Sequence, residues 1–191
     1  MWGVIVDLET GGLNAQAHPI TQIGAVAVTA SFDILKEFEV KIKFSPDFCD
    51  PKALKINGFN PDVWQREALP EQEALFRFAE FLEDHVTYFA AGGKGRGQAI
   101  LMGHNGTSFD WVFLDRLSKK HDIKLPAWRM LDSIQYLYWY FEHRRGKIEP
   151  PEGWGLEKLA RYFGVSYNSA HDALADCKIL TQILKKVRVG K

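Results

Sequence analysis

Four carboxylates and one histidine, scattered over nearly the whole chain, carry the chemistry this sequence offers. Asp7 and Glu9 close the apolar run Gly3-Val4-Ile5-Val6. Asp110 ends His104-Asn105-Gly106-Thr107-Ser108-Phe109-Asp110, and His171 stands five residues before Asp176. Four acids can hold two Mg²⁺ ions. A histidine beside them can take a proton from water, because an imidazole's ordinary pKa of about 6.5 suits a base near neutral pH. That set is equipment for cutting a phosphodiester bond. Each residue also has an ordinary reading. Asp7 and Glu9 fit as loop or capping residues past a strand end. Asp110 fits as a first-turn acid favoured by the helix dipole, with Asn105 or Ser108 as the cap, and a histidine near a helix start is commonly structural. Asp172, four before Asp176, is either a further ligand or a first-turn acid.

The elements that must position these groups are legible from periodicity. Residues 2–8 read as a buried strand, and a period of two puts Asp7 and Glu9 on the same face of it. Like charges there need a counter-charge, which a metal ion supplies. Residues 20–29, ITQIGAVAVT, and 34–43, ILKEFEVKIK, read as two more strands, the latter half exposed, in an antiparallel meander. Short helices are predicted over 51–57 and 61–66. A longer one from Glu71 to Val86 has Leu75, Phe78, Phe81, Leu82 and Val86 at helical spacing. A strand over 99–103, a helix from Ser108 to Lys120, a strand over 127–131, a helix over 132–142, a loop over 143–155 and helices over 156–163 and 172–187 complete the chain. The order βββ–α–β–α–β–α–α implies an α/β layer fold with a mixed central sheet of about five strands flanked by helices. On one helix His171 and Asp176 would point about 140° apart. They converge only if His171 precedes the helix, with Ser169 as a cap.

Two stretches are less telling. Ala91-Gly92-Gly93-Lys94-Gly95-Arg96-Gly97 reads as a flexible loop. It lacks the Gly-Lys-Ser/Thr ending of a phosphate-cradling loop and follows no strand. In the aromatic helix, Ile134, Tyr138 and Phe141 are expected to face the core, and Tyr136, Trp139, Tyr140 and His143 to share another face beside Arg144 and Arg145. That suits packing against the loop at 150–155, a stacking platform for single strands, or a dimer surface.

Composition narrows the class. With 191 residues, 46% of them hydrophobic, a single domain spanning 1–191 with a substantial core is expected. Twenty-four basic residues balance 24 acidic ones, which counts mildly against a nucleic-acid partner unless several acids face metal ions. The basic pairs Lys119-Lys120, Arg144-Arg145 and Lys185-Lys186 read first as solvated faces. Cys49 and Cys177 are far apart and form neither a disulfide framework nor a zinc spacing. Reduced thiols, no signal peptide and no membrane-length apolar stretch predict a soluble, intracellular, cytoplasmic protein with no membrane partner.

Taken together, Asp7-Leu8-Glu9-Thr10 with Gly12-Leu13, His104-Asn105 with Phe109-Asp110 and Phe113-Leu114, and His171 to Ala173 with Asp176 resemble the DEDDh family of 3′→5′ exonucleases. That family belongs to the ribonuclease H-like superfamily. It includes the proofreading subunit of bacterial replicases, ribonuclease T and the mammalian three-prime repair exonucleases. Three ordered motifs make the resemblance specific where one would not, and it covers about 10 to 185. Tyr167 stands nine before Asp176 and so is not the tyrosine of the sister class, which lies four before the last aspartate. Gly11 stands where many members have threonine, alanine or cysteine, and Gln22 where glutamate is common.

The resemblance implies a ribonuclease H-like fold and a Mg²⁺-dependent exonuclease, with Mn²⁺ able to substitute. Asp7, Glu9 and Asp176 would hold one ion, Asp7 and Asp110 the second, with His171 the general base and a 5′-mononucleotide the product. Thr10, Gly12, Leu13, Ile56, Asn57, His104, Asn105 and Phe109 would bind substrate. Gly11 and Gly12 would let the backbone approach the terminal nucleotide, and Leu13 and Ile56 would line its base, unless both are ordinary core residues. The partner is single-stranded or 3′-ended nucleic acid, its sugar unspecified because no motif fixes a contact to the 2′-OH. A homodimer, a polymerase-bound proofreading role and a catalytically inert binding module stay open. The short tail after the last helix favours a free-standing enzyme over a tethered subunit.

Overall fold

The computed structural model describes residues 3–86, 97–167 and 171–190. Most of the glycine loop at 91–97 and the expected cap Ser169 lie outside them. Five strands form one mixed sheet: β1 (Gly3–Thr10), β2 (Ile20–Val28), β3 (Ile34–Lys41), β4 (Ala99–Gly103) and β5 (Ala127–Asp132), in the order β3-β2-β1-β4-β5. The first three pair antiparallel, and β4 and β5 run parallel to β1. The helices are α1 (Pro51–Ile56), α2 (Pro61–Glu67), α3 (Glu71–Glu83), α4 (Asp110–His121), α5 (Ser133–Glu142), α6 (Leu156–Tyr162) and α7 (Ala173–Arg188).

Strand β1 is apolar on both faces because both are covered, and its alternation decides where the acids go. Val4, Val6 and Leu8 face the side of α3 and α4, packing in one cluster with Phe78, Phe113 and Leu114. Ile5 faces the other side, with Cys177, Leu180 and Leu184 of α7. Asp7 and Glu9 continue the Ile5 row, so they project toward α7. On that helix Asp176, Leu180 and Leu184 recur every four residues, a single stripe turned to the sheet.

Gly24 lets α7 come close enough. It lies opposite Asp7 in the β1–β2 register, and a Cβ there would sit 2.3 Å from the backbone of Ala173 and Leu174. The buried Cys177 thiol donates to the Gly24 carbonyl at 3.3 Å. Gly24→Ala is therefore expected to lift the start of α7, and Asp176 with it, costing about 1–3 kcal/mol of stability. A thermal melt showing Gly24→Ala as stable as the native chain would refute this packing account.

Several boundaries differ from the sequence expectation. Asn105 and Ser108 do not cap α4 through their side chains. The helix begins at Asp110, with Phe109 at the cap position and no side-chain cap bond. Asn105 instead takes a left-handed φ of 61° and its carbonyl accepts the N–H groups of Ser108 and Phe109. In α5 the buried side chains are Ser133, Leu137 and Phe141, and Tyr138 is exposed, not in the core. The stripe runs Ile134-Leu137-Phe141, which leaves the polar tyrosine hydroxyl in water. The loop at 150–155 does pack here, through Trp154 against Phe141 at 5.9 Å and Tyr138 at 6.1 Å.

Candidate active site

Three elements converge at the C-terminal rim of the sheet. Asp7 and Glu9 come from the end of β1, Asp110 from the chain turning out of β4 into α4, and Asp176 from the first turn of α7. Carboxylate oxygens of Asp7, Glu9 and Asp176 all lie within 4.8 Å of one another. Glu9, Asp110 and Asp176 are buried. No lysine or arginine is ion-paired to any of the four among the described residues.

The crowding shows in their protonation. Burial, then Asp110, Glu9 and Asp176, holds the Asp7 carboxyl well above its ordinary range. Glu9 is pushed up to about 8, by burial and then by Asp176, Asp172 and Asp110. Asp110 rises to about 7 through burial, although its own N–H and that of Leu8 donate to it. Asp176 rises to about 6, through burial and Asp172, against the opposing N–H of His171. Oδ1 of Asp176 is buried with no hydrogen-bond partner. An orphaned carboxylate oxygen beside two more carboxylates is what a hard cation's oxygen-rich shell requires, so these residues fit a divalent metal.

A pH dependence follows. Each acid binds its proton more tightly in the folded chain than in the unfolded one, where carboxyls titrate near 4. The metal-free protein thus has this stability in full below about pH 4. It loses that stability as pH rises through about 6, 7 and 8, the folded-state values of Asp176, Asp110 and Glu9. Tm in EDTA should fall across that window, and Mg²⁺ should raise Tm more at its alkaline end. A metal-free Tm that rises with pH there would contradict the crowded-acid geometry.

His171 is exposed. It precedes α7, in a left-handed conformation with φ 66°, and its N–H meets the Asp176 carboxylate. The helix cap is Asp172, whose Oδ1 accepts from Ala175 N–H at 2.9 Å. Its Oδ2 accepts from the Gln22 amide at 3.0 Å, and the same amide donates to Glu39 at 2.9 Å. Gln22 is 2% exposed and pairs with Glu9 across the strands, so it fastens the start of α7 to the sheet beside the cluster. The sequence offered a signal for this, a glutamine inside the mostly apolar ITQIGAVAV, because a polar side chain buried in a central strand needs partners. Tyr167, set apart from the sister-class tyrosine by its spacing, lies near these acids. Burial and then Asp176 lead the influences that push its phenol up to about 12, with Asp7 and Glu9 adding to them, so it borders the cluster.

The expected substrate-binding residues divide into two groups. Leu13 is 86% and Ile56 54% exposed, so neither is a core residue and both are free to meet a base. The others hold the protein's own backbone. Thr10 donates to the Gly12 carbonyl and accepts from Asn57 Nδ2, both at 2.9 Å. A Cβ on Gly11 or Gly12 would meet Cys49 and Pro19, or the His18 ring, at 2.5–2.9 Å, so these glycines make room for protein side chains. His104 uses both ring nitrogens, toward Ser133 Oγ at 2.9 Å and the Trp154 carbonyl at 2.7 Å. Asn105 N–H and Thr107 Oγ1 donate to Asp132, and Phe109 packs on Phe113 with ring centroids 4.9 Å apart.

A mixed sheet with an acid cluster on its rim is an arrangement suited to metal-assisted hydrolysis. The chain belongs to the exonuclease family, which matches residues 4–91 and 95–184. The chain is 26% identical over 190 residues to the chloroplastic/mitochondrial exonuclease DPD1 of Arabidopsis thaliana, covering 97% of this chain and 56% of the relative. It is 29% identical over 126 residues to ribonuclease T of Hahella chejuensis, covering 63% and 55%. The chain thus spans about half the length of these curated relatives. E. coli exonuclease I, in a structure with single-stranded DNA, superposes with a TM-score of 0.82 at 20% identity, over 98% of this chain and 40% of that one; the likeness is one of fold. No helix among the described residues is long and apolar enough to cross a membrane.

Proposed function

We propose that the protein is a divalent-metal-dependent 3′→5′ exonuclease that removes 5′-mononucleotides from the 3′ ends of single strands. The observation that carries this is the grouping of Asp7, Glu9 and Asp176 within 4.8 Å, with Asp110 near enough to Asp7 to help raise its pKa. Asp7, Glu9 and Asp176 would hold one Mg²⁺ or Mn²⁺ ion and Asp7 and Asp110 a second, supplying positive charge to the attacking and leaving oxygens of an in-line displacement. The chain's own groups do the rest. The His171 imidazole takes a proton from the attacking water as its oxygen bonds to phosphorus. The bond from phosphorus to the 3′ oxygen breaks, and its electron pair leaves with that oxygen. Leu13 and Ile56 hold the terminal base by apolar contact, which suits every base. The likeness to exonuclease I bound to single-stranded DNA supports a single-stranded substrate.

The test is digestion of 5′-labelled single-stranded DNA, duplex DNA and RNA of one sequence with Mg²⁺, alongside EDTA and Asp110→Ala controls. The expected result is a ladder shortening from the 3′ end of single strands, abolished by both controls. No cleavage with Mg²⁺ or Mn²⁺ would leave an inert nucleic-acid-binding module.

A further inference from the structure

The surface cations of this zero-charge chain divide into ion-paired and unpaired ones. Lys41, Arg77, Lys119, Lys120, Arg145, Arg161, Lys178 and Lys185 each pair with a carboxylate. Ten others have no ion pair among the described residues: Lys124, Arg144, Lys147, Lys158, Lys186 and Arg188 lie on the later helices and loops, and Lys43, Lys52, Lys55 and Arg116 lie near the first loop. These last four lie in or beside segments stitched to the loop that carries Leu13. Asp50 N–H donates to the Gly11 carbonyl, Asn57 to that of Thr10 and Arg116 to that of His18 at 2.9 Å. Beside this loop a cavity of about 440 Å³ is lined by Lys43, Arg116 and Phe48 with Pro19. Phe48 is 66% exposed, and Arg116 Nε is buried without a hydrogen-bond partner. Glu71, the acid in that lining, is occupied by Lys120 and His121.

We propose that this groove is a second nucleic-acid site, a tract for the single strand 5′ of the scissile bond, reached by passing over Leu13 and Ile56. Lys43, Lys52 and Arg116 contact its phosphates and Phe48 stacks on a base. Unpaired cations beside an exposed aromatic ring are the combination that binds single strands regardless of sequence. The assignment of strand direction rests on the exonuclease reading; the binding itself does not.

The test is therefore a binding measurement without turnover. Fluorescence anisotropy in EDTA follows a labelled single-stranded DNA of about fifteen nucleotides over a series of salt concentrations. Lys43→Ala/Lys52→Ala should flatten the slope of log affinity against log salt by roughly 1.4, about 0.7 for each lost phosphate contact. Phe48→Ala should weaken binding about fivefold or more. Lys147→Ala/Lys158→Ala removes the same charge from unpaired lysines outside these segments and should leave the slope alone. An equal loss in that control, an unchanged slope in the tract variant, or preference for an acidic peptide over the oligonucleotide overturns the proposal. Native protein that shows the tract's salt signature but digests nothing supports the tract while refuting the exonuclease reading.

Discussion

Asp7→Asn is expected to reduce exonuclease turnover by about 10²–10³-fold or more and, in the same protein freed of metal, to raise Tm by about 5 °C at pH 8. The two effects have one cause. Asp7 stands among three other carboxyls, and burial together with Asp110, Glu9 and Asp176 disfavours its charge. Without a cation, that negative charge opposes folding. An isosteric amide keeps the shape and removes the repulsion, so the fold gains. With metal present the argument reverses, because the same charge is what the ions need, and its removal withdraws transition-state stabilisation. The gain in Tm should shrink toward pH 5, where the native cluster takes up protons, and the Mg²⁺-induced rise in Tm should be lost. Thermal melts with EDTA and with Mg²⁺ at both pH values check this. A variant less stable than the native chain in EDTA would show that Asp7 serves the fold by its charge, and the cluster would no longer be a functional compromise.

How far this site was legible depended on which physical rule placed each residue. Period-two alternation in Gly3 to Glu9 was enough to put Asp7 and Glu9 on one face, since one face of β1 must repeat every second residue. The helix period likewise showed that His171 had to precede α7 to share a site with Asp176. What periodicity could not give is phase when two adjacent residues are both apolar. Leu137 and Tyr138 each complete a helical stripe with Ile134 and Phe141, and only the packing against α6 and α7 chose Leu137. Nor could local pattern show contacts between distant segments. Gly24 needs the absence of a side chain because of Ala173 and Leu174, and Gln22 finds its partner in Asp172. The loop caps failed for a related reason. Asn105 and Ser108 have good capping side chains, but Asp132 draws Asn105 N–H and Thr107 across from β5, and the turn is set by that long-range bond.

The base is the remaining assignment, and His171→Asn tests it with little disturbance of the backbone. Position 171 has φ 66°, a conformation that asparagine adopts more readily than most side chains and that would strain alanine. The N–H at 171 that meets Asp176 is kept, so the Mg²⁺-induced rise in Tm should persist. What goes is the imidazole, and kcat should fall by about 10²–10⁴-fold with KM changed little. Tyr167 is the competing proton acceptor near the cluster, and its position argues against it. A base must be deprotonated near working pH, and burial with the neighbouring carboxylates has pushed this phenol up to about 12, the wrong direction for the task. Tyr167→Phe should therefore cost far less than His171→Asn. If His171→Asn kept activity within fivefold while Tyr167→Phe lost it, the imidazole would be a spectator and the phenol the proton acceptor. Steady-state kinetics on one single-stranded substrate decides between them.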